Sequence, residues 1–206
     1  EDSRKDYEYI QSVAQSVQED ALSHIIEDKK DCYTVFNASG WKRSEIVTVP
    51  NERAGIYRDE QGNELDAQQA GTVTYVEVKD IPAMGTGTII FEEKKAEETE
   101  AEFTICGKNI ETPYYSMSMN GYGQITRLYD KIFARDVLPK GERANVFQMF
   151  EDKPLDNDAW DIDIFYQEKM REITDMTKFE VIECGPLQMK IHMEWNYMNS
   201  FIAQDM

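Results

Sequence analysis

The sequence predicts a mainly β protein with one N-terminal helix, and three observations support this fold class. Over the first 28 residues, apolar side chains recur every three or four positions, as on one face of a helix. From residue 32 the apolar period changes to two, which is typical of β-strands. Turn residues then interrupt the strands at short intervals, as in sandwiches and open barrels. We therefore expect a small β-sandwich after the helix, followed by the first part of a larger one.

The predicted helix is amphipathic. Its apolar stripe consists of Ile10, Val13, Val17, Ala21 and Ile25. One helix of this length is not stable alone in water, so the stripe should pack on the sheet that follows or on helices outside this sequence. His24 lies near the stripe, and we interpret it as a histidine at a helix–sheet contact, because no other metal-ligand residues stand near it.

Strands are expected in two groups separated by a charged segment. The first group lies within 32–39, 44–50, 71–78 and 81–93. The second group begins with a hairpin in 110–131 and continues within 145–154, 179–186, 187–198 and 200–206. The segment EEKKAEETEAEF at 92–103 is interpreted as a hinge or a protruding hairpin, which makes it the best domain boundary.

These segments predict three parts: a terminal helix at 1–30, a small β domain at 31–104 and a β-sandwich domain at 105–206. The last predicted strand has no evident closing partner. We therefore expect the third part to be truncated, with its sheet completed by residues beyond Met206 in a longer parent protein. The charged opening, which lacks an initiator methionine, also suggests a fragment.

Composition narrows the classes of partner. The 206 residues carry a net charge of −18, from 40 acidic and 22 basic side chains. Such a surface repels nucleic acid and anionic membranes. The sequence contains no run of 18 apolar residues, so it predicts no membrane-spanning helix. Cys32, Cys106 and Cys184 are widely spaced, which favours reduced thiols in a cytoplasmic protein over a disulfide framework or a zinc site.

One segment combines carboxylates with aromatic rings. Its residues are Asp152, Asp156, Asp158, Trp160, Asp161, Asp163, Phe165 and Tyr166. Carboxylates can accept hydrogen bonds from sugar hydroxyls while a ring stacks on a pyranose, so the segment is a candidate sugar contact. A hard cation is a second interpretation, although the EF-hand pattern is absent. The residues alone favour a third interpretation, a solvated acidic loop with Trp160 anchored in the core.

No self-sufficient catalytic motif is present. The sequence contains no GxSxG, no P-loop and no GxGxxG before a helix. Neither Cys106 nor Cys184 has a histidine near it in sequence, so a thiol nucleophile is not supported. We therefore assign no catalytic residue and no metal ligand to this chain.

Five segments, taken in order, resemble the region downstream of the catalytic barrel in glycoside hydrolase family 38, the α-mannosidases, especially their bacterial and cytosolic-type branch. They are VFNASGWKRSEIVTVP at 35–50, DIPAMG at 80–85, IETPYYSMSMNGYGQITRLYDK at 110–131, NVFQMFEDKPLDNDAWDID at 145–163 and ECGPLQMKIHMEW at 183–195. The fourth is the most specific. The resemblance also implies that the first 28 residues are the last helix of the family's helical bundle.

The resemblance implies a retaining, zinc-dependent glycosidase, but not that these residues carry its chemistry. Family members hold zinc with two histidines and two aspartates, and use an aspartate nucleophile and an aspartate acid. These groups lie on the barrel, apart from a histidine in an HD motif of the bundle. Here His24 precedes Ile25 and His192 precedes Met193, so the motif is missing. Zinc is thus expected in the parent enzyme only, and the fragment alone should be inactive.

By resemblance, the DAWDID loop folds towards the barrel and helps to wall the sugar pocket. Asp158, Trp160 and Asp161 are therefore the candidate substrate-binding residues. The implied partners are the catalytic barrel and helical bundle of the same parent chain and a mannose-containing oligosaccharide. Relatives are often homo-oligomers, which leaves self-association open. The alternative function is a free-standing carbohydrate-binding or adhesion β-sandwich.

Overall fold

A computed structural model describes residues 2–26, 29–51, 53–95, 101–157 and 159–206, without the side chain of Asp2. The chain forms two compact units, Glu1–Glu97 and Glu98–Met206. No helix in the described ranges has the length and apolar composition needed to cross a bilayer. Part of the predicted hinge, residues 96–100, lies outside the described residues. The three-part division at 1–30, 31–104 and 105–206 stays a prediction.

Among its described residues, the first unit contains one α-helix and seven strands. They are α1 (Asp2–Ser23), β1 (Cys32–Phe36), β2 (Arg43–Val49), β3 (Ile56–Arg58), β4 (Glu64–Leu65), β5 (Ala67–Ala70), β6 (Val73–Ile81) and β7 (Thr86–Glu92). The predicted N-terminal helix is therefore confirmed, as are the strands expected in this half.

Helix α1 leaves its apolar stripe exposed. Ile10, Val13 and Val17 are among the exposed large apolar side chains, so packing of the stripe on the following sheet is not found. Packing on helices outside this sequence stays a prediction. The prediction that His24 lies at a helix–sheet contact is wrong, since this residue is exposed and bonds to its own helix. Its Nδ1 lies 2.7 Å from the carbonyl oxygen of Asp20, because the helix ends at Ser23 and its last carbonyls need local partners.

The seven strands form two sheets packed face to face. One sheet has the order β1-β7-β3-β4 and the other β2-β6-β5, with antiparallel pairs throughout. The core between them consists of Val49, Tyr57, Val76, Val78, Ile81, Ile89 and Phe91. Alternate residues of β6 are buried, as expected of a strand with one face on a core. The predicted small β-sandwich is confirmed.

The second unit contains ten strands and a short 3₁₀ helix in its described part. The strands are β8 (Thr104–Cys106), β9 (Asn109–Glu111), β10 (Tyr115–Met119), β11 (Ile125–Asp130), β12 (Arg135–Asp136), β13 (Gln148–Phe150), β14 (Met170–Glu172), β15 (Asp175–Cys184), β16 (Met189–Tyr197) and β17 (Ser200–Asp205). The predicted hairpin is confirmed as the antiparallel pair β10–β11.

This unit is also a sandwich. A five-stranded sheet, β12-β11-β10-β9-β8, shares its core with the three-stranded sheet β15-β16-β17, while β13 and β14 form a separate ribbon. The buried core consists of Ile110, Met117, Met119, Ile173, Ile191, Met193 and Trp195. Three of these residues alternate along β16, which places that strand's inner face at the centre of the unit.

Trp195 joins the two sheets. Its side chain is completely buried, and its indole Nε1 donates a 2.7 Å hydrogen bond to the carbonyl oxygen of Tyr122 in the β10–β11 turn. The Phe147 ring packs edge-on against the indole, 4.9 Å away between centroids. Gly123 has φ +77°, and a Cβ there would lie 2.5 Å from an indole carbon. The indole therefore occupies a notch that only glycine leaves open.

The edge strand β17 is held to β16 by a charged cluster around His192. Nδ1 of His192 lies 2.6 Å from Asp205 of β17, and Nε2 lies 3.0 Å from Glu194 of β16. On the other side, Lys178 of β15 pairs with Glu180 and, more distantly, with Glu194. The hydrogen bond to Asp205, and then that to Glu194, raises the pKa of His192 above 6.5.

Replacing Gly123 with alanine is expected to destabilise the second unit by about 2–5 kcal/mol. A positive φ costs an L-residue about 1–2 kcal/mol, and overpacking adds roughly 1–3 kcal/mol. Gly107→Ala is the matched control, since its φ is also positive but no atom lies within 4 Å of the added Cβ. Denaturant unfolding of both variants measures the difference; equal losses would contradict the notch.

The His192 cluster predicts a stability change with pH. Because the folded-state pKa is raised, the added stability is present below pH 6.5 and is lost as pH rises through the raised pKa. His192→Gln should flatten the fall in melting temperature between about pH 6 and 9. Parallel curves for the wild type and His192→Gln would show that the cluster contributes nothing.

Candidate carbohydrate-facing loop

The carboxylates and rings singled out in the sequence lie on one excursion of the chain, residues 151–169, which we name the acidic loop. Its two ends are held together by the ribbon β13–β14, in which Gln148 pairs with Glu172, Met149 with Arg171 and Phe150 with Met170. The loop ends in the 3₁₀ helix Ile164–Lys169. It is therefore a closed loop on a short antiparallel stem.

The stem is fixed to the β10–β11 turn by a polar network. Gln124 is only 1% exposed, and its amide donates a 3.0 Å hydrogen bond to Glu172 at the end of β14. The Arg143 guanidinium donates to both oxygens of Glu172, at 2.8 and 2.9 Å, and also to the Gln124 carbonyl oxygen at 2.7 Å. The hydrogen bond from Arg143, with a smaller effect from that of Gln124, holds the pKa of Glu172 below 4.5. Bidentate pairs of this kind restrain geometry as well as adding energy.

A second ion cluster closes the loop at its base. Glu151, the first residue after β13, pairs with Lys153 at 2.6 Å and with Lys169 at the end of the 3₁₀ helix. These hydrogen bonds, first from Lys153 and then from Lys169, lower the pKa of Glu151 to about 2. The carboxylate thus stays ionised at neutral pH and links the two ends of the loop.

Inside the loop, backbone bonds form a compact turn. The amides of Trp160 and Asp161 donate to the carbonyl oxygen of Asn157 at 2.7 and 2.9 Å. The Asp163 carboxylate accepts a 2.7 Å hydrogen bond from the amide of Leu155, across the loop. These contacts position Trp160, Asp161 and Asp163 through backbone amides and one carboxylate, while the Trp160 ring is exposed.

The candidate residues have different outcomes. Asp158 lies outside the described residues. Trp160 is 89% exposed, so the interpretation that it anchors the loop in the core is wrong. Tyr166 makes the inward aromatic contact instead, edge-on against Phe150 at 5.1 Å. Asp161 is exposed one residue after Trp160, so their side chains leave the same turn of the loop.

The loop exposes more apolar surface than the sequence indicated. Large exposed apolar side chains on it are Leu155, Trp160, Ile162, Ile164 and Phe165. Single exposed apolar residues are ordinary, but several on one short loop mark a contact surface. The signal available in the sequence was the alternation of acidic and apolar residues in DIDIF at 161–165. It was missed because the acidic residues suggested a solvated segment.

The described residues do not fit a bound metal. No three of their His, Cys, Asp or Glu side chains converge as a ligand set would. Asp163, a candidate cation ligand, already binds the amide of Leu155. The described part of the chain thus gives no support to the cation interpretation or to a zinc site, and no hydrolytic step is assigned to these residues.

Comparison with known proteins agrees with the resemblance seen in the sequence. Residues 110–206 match the family model described as the glycosyl hydrolases family 38 C-terminal domain. The second unit is therefore similar to the C-terminal domain of glycosyl hydrolase family 38. An α-mannosidase of Canavalia ensiformis is 37% identical over 62 residues, which are 30% of this chain and 6% of that protein.

A solved structure agrees with the fold. The crystal structure of an α-mannosidase from Enterococcus faecalis V583 superposes with a TM-score of 0.51 and 16% identity, covering 82% of this chain and 24% of the other. At this identity the likeness concerns the fold alone. This chain therefore spans no more than about a quarter of the length of the enzymes it matches.

The polar network predicts that Glu172→Gln loosens the stem. Loss of the carboxylate removes the bidentate pair with Arg143, so amides of β13 and β14 should exchange hydrogen faster. Hydrogen-exchange mass spectrometry measures this, with protection of β10 as the internal reference. Glu168→Gln, an exposed carboxylate change on the same loop, is the matched control; an equal effect would show that the network does not hold the stem.

The same stem should loosen in acid. Glu151 and Glu172 have lowered pKa values, so their contribution is present above pH 4.5 and is lost as pH falls through the lowered values, to about 2 for Glu151. Stem protection relative to β10, corrected for intrinsic exchange, should fall over this range. Unchanged relative protection would contradict the assignment.

Proposed function

We propose that this chain is the non-catalytic β-rich portion of an α-mannosidase, and that the acidic loop walls the sugar pocket of the parent enzyme. The observation that carries the proposal is the exposed Trp160 on a loop whose stem is fixed to the core, within a unit that matches the family 38 C-terminal domain. The wider function follows from the family. The loop's role rests on its geometry.

The loop offers the two kinds of contact that a pyranose requires. The Trp160 ring can stack on the apolar face of the sugar, and the carboxylate of Asp161, with that of Asp158, can accept hydrogen bonds from ring hydroxyls. The backbone turn at Asn157 holds Trp160 and Asp161 through their amides, which leaves both side chains available. Binding therefore costs little backbone ordering, which favours a role in orienting a terminal mannoside.

We place the hydrolysis itself in the parent chain. In the proposed enzyme, zinc and the catalytic aspartates belong to the barrel, where the metal would bind and polarise the substrate during retaining hydrolysis of terminal α-mannosides. This chain would support the barrel and exclude water at one side of the pocket. It should be inactive alone, because its described residues offer neither a zinc ligand set nor a motif for nucleophilic attack.

A free-standing carbohydrate-binding module is the competing function. The exposed tryptophan and carboxylates would suit it equally well. The two functions differ in which part of the protein supplies the affinity for mannosides. A module would bind mannosides as the 206-residue chain alone, whereas a pocket wall would contribute measurable affinity only when the catalytic part is present.

The decisive variant is Trp160→Ala in the full-length enzyme. Loss of stacking should lower kcat/KM for an aryl α-mannoside roughly threefold to tenfold, as expected for an aromatic contact of about 0.5–1.5 kcal/mol. Stability should change by less than about 0.5 kcal/mol, because the ring is exposed. Phe133→Ala, at an exposed ring in the turn after β11, is the control and should alter neither.

Two results would contradict the proposal. One is turnover of the aryl α-mannoside by the 206-residue chain with zinc present. The other is a Trp160→Ala enzyme with wild-type kinetics on both aryl and oligosaccharide substrates, which would remove the loop from the pocket.

A further inference from the structure

The turn between β10 and β11 contains Asn120 followed by Gly121, which is the only Asn-Gly pair in the sequence. In such a pair the backbone nitrogen of the glycine can attack the side-chain amide carbon of the asparagine. Glycine favours this attack because it has no Cβ to shield the nitrogen and restricts its backbone little. The outcome in the folded chain therefore depends on how the turn holds both groups.

The attacking nitrogen, that of Gly121, is open to solvent. Gly121 is exposed, and a Cβ built on it would meet no atom within 4 Å. Within the described residues its amide has no hydrogen-bond acceptor, whereas the amides of the next three residues all donate inside the turn. Base in the solvent can therefore reach the proton of this amide and remove it.

The attacked carbon, Cγ of Asn120, is held in place and polarised. Its Oδ1 accepts hydrogen bonds from the amides of Tyr122 at 3.0 Å and Gln124 at 3.1 Å. Two amide donors on one carbonyl oxygen stabilise the negative charge that develops there during attack, as in an oxyanion hole. The Nδ2 group donates a 2.9 Å hydrogen bond to Oε1 of Gln124. These bonds fold the side chain over the turn that contains Gly121.

We propose that Asn120 is a site of spontaneous deamidation and that its conversion loosens the stem of the acidic loop. The Gly121 nitrogen loses its proton to solvent base and forms a bond to Cγ of Asn120. The Cγ–Nδ2 bond breaks, and Nδ2 takes up a proton and leaves as ammonia. Water then opens the resulting succinimide at one of its two carbonyls, which gives aspartate or isoaspartate. No oxidation or reduction is involved.

The new carboxylate faces the polar network that fixes the stem. Gln124 is 1% exposed, accepts at Oε1 from Asn120 and donates through Nε2 to Glu172. A carboxylate at position 120 cannot donate to Oε1. Either the two acceptors stay side by side, or the Gln124 amide turns over and leaves Glu172 without its donor. Both responses remove one hydrogen bond from a buried group, which water does not replace.

The turn itself should survive the conversion to aspartate. A carboxylate oxygen accepts the amides of Tyr122 and Gln124 as the asparagine oxygen does. The damage is therefore passed to the stem and does not unfold the hairpin. The chemistry of the site does not depend on the proposed function, but its effect on mannoside hydrolysis does.

Ageing of the folded full-length protein in mildly alkaline buffer tests the site. Peptide mapping by mass spectrometry should find aspartate and isoaspartate at position 120 before any other asparagine converts. Asn199, exposed in the β16–β17 turn and followed by serine, is the internal reference. Earlier conversion of Asn199 would overturn the inference.

Gly121→Ala tests the attacking nitrogen. The added Cβ has open space and φ at Gly121 is not positive, so stability should stay unchanged while conversion at Asn120 slows severalfold. Denaturant unfolding checks the stability. A variant that converts as fast as the wild type would show that the Gly121 nitrogen is not the nucleophile, which would also overturn the inference.

Asn120→Asp in the full-length protein reproduces one product and tests the coupling to the stem. Hydrogen exchange in β13 and β14, relative to β10, should be roughly threefold to tenfold faster, as expected for one lost hydrogen bond. Asn199→Asp is the matched control, because it makes the same charge change in an exposed turn away from the network. Wild-type protection in Asn120→Asp, or an equal effect in the control, would overturn the coupling.

This inference and the proposed function fail separately. An enzyme that hydrolyses α-mannosides while Asn120 stays intact on ageing keeps the function and loses the deamidation site. A protein inactive on α-mannosides that still converts Asn120 and loosens its stem loses the proposed activity and keeps the site.

Discussion

The second unit depends on the fit of the Trp195 indole into the notch at Gly123. The contact joins the inner face of β16 to the turn of the β10–β11 hairpin, and it is both apolar and hydrogen bonded, through Nε1 and the Tyr122 carbonyl. A buried indole contributes a large apolar area, and its single N–H must find a partner. Because only glycine leaves the space, the hairpin turn and the opposing sheet can meet in one way only.

The same turn positions the acidic loop. Gln124 follows Gly123 directly, and its amide binds Glu172, which ends the loop's stem; Arg143 completes the network. Hence the core contact and the loop geometry are coupled through adjacent residues of one turn. Exposed ion pairs contribute little to stability one at a time. Here the network rests on the buried Gln124, so it restrains the direction in which the acidic loop leaves the core, as the proposed role as a pocket wall requires.

Much of this fold follows from pattern, and the exceptions have identifiable causes. The two-residue period located most of the strands, and the hairpin followed from its turn residues. The strand β5, of sequence AQQA, has low β-propensity and forms because β6 offers it a partner. The loop's position was predictable, but its stem was not, since Gln124 and Glu172 lie 48 residues apart. Contacts at such separation leave no local signal.

The three tryptophans separate what the sequence predicts from what only the tertiary structure decides. The sequence by itself determined the mainly β class, the order of the strands, the resemblance to glycoside hydrolase family 38 and the strand that carries Trp195. Only the tertiary structure decided that Trp160 and Trp41 are exposed. Both lie in turns, where no periodicity assigns a face. Their burial depends on which surfaces meet, and for these two side chains the described residues supply no covering surface.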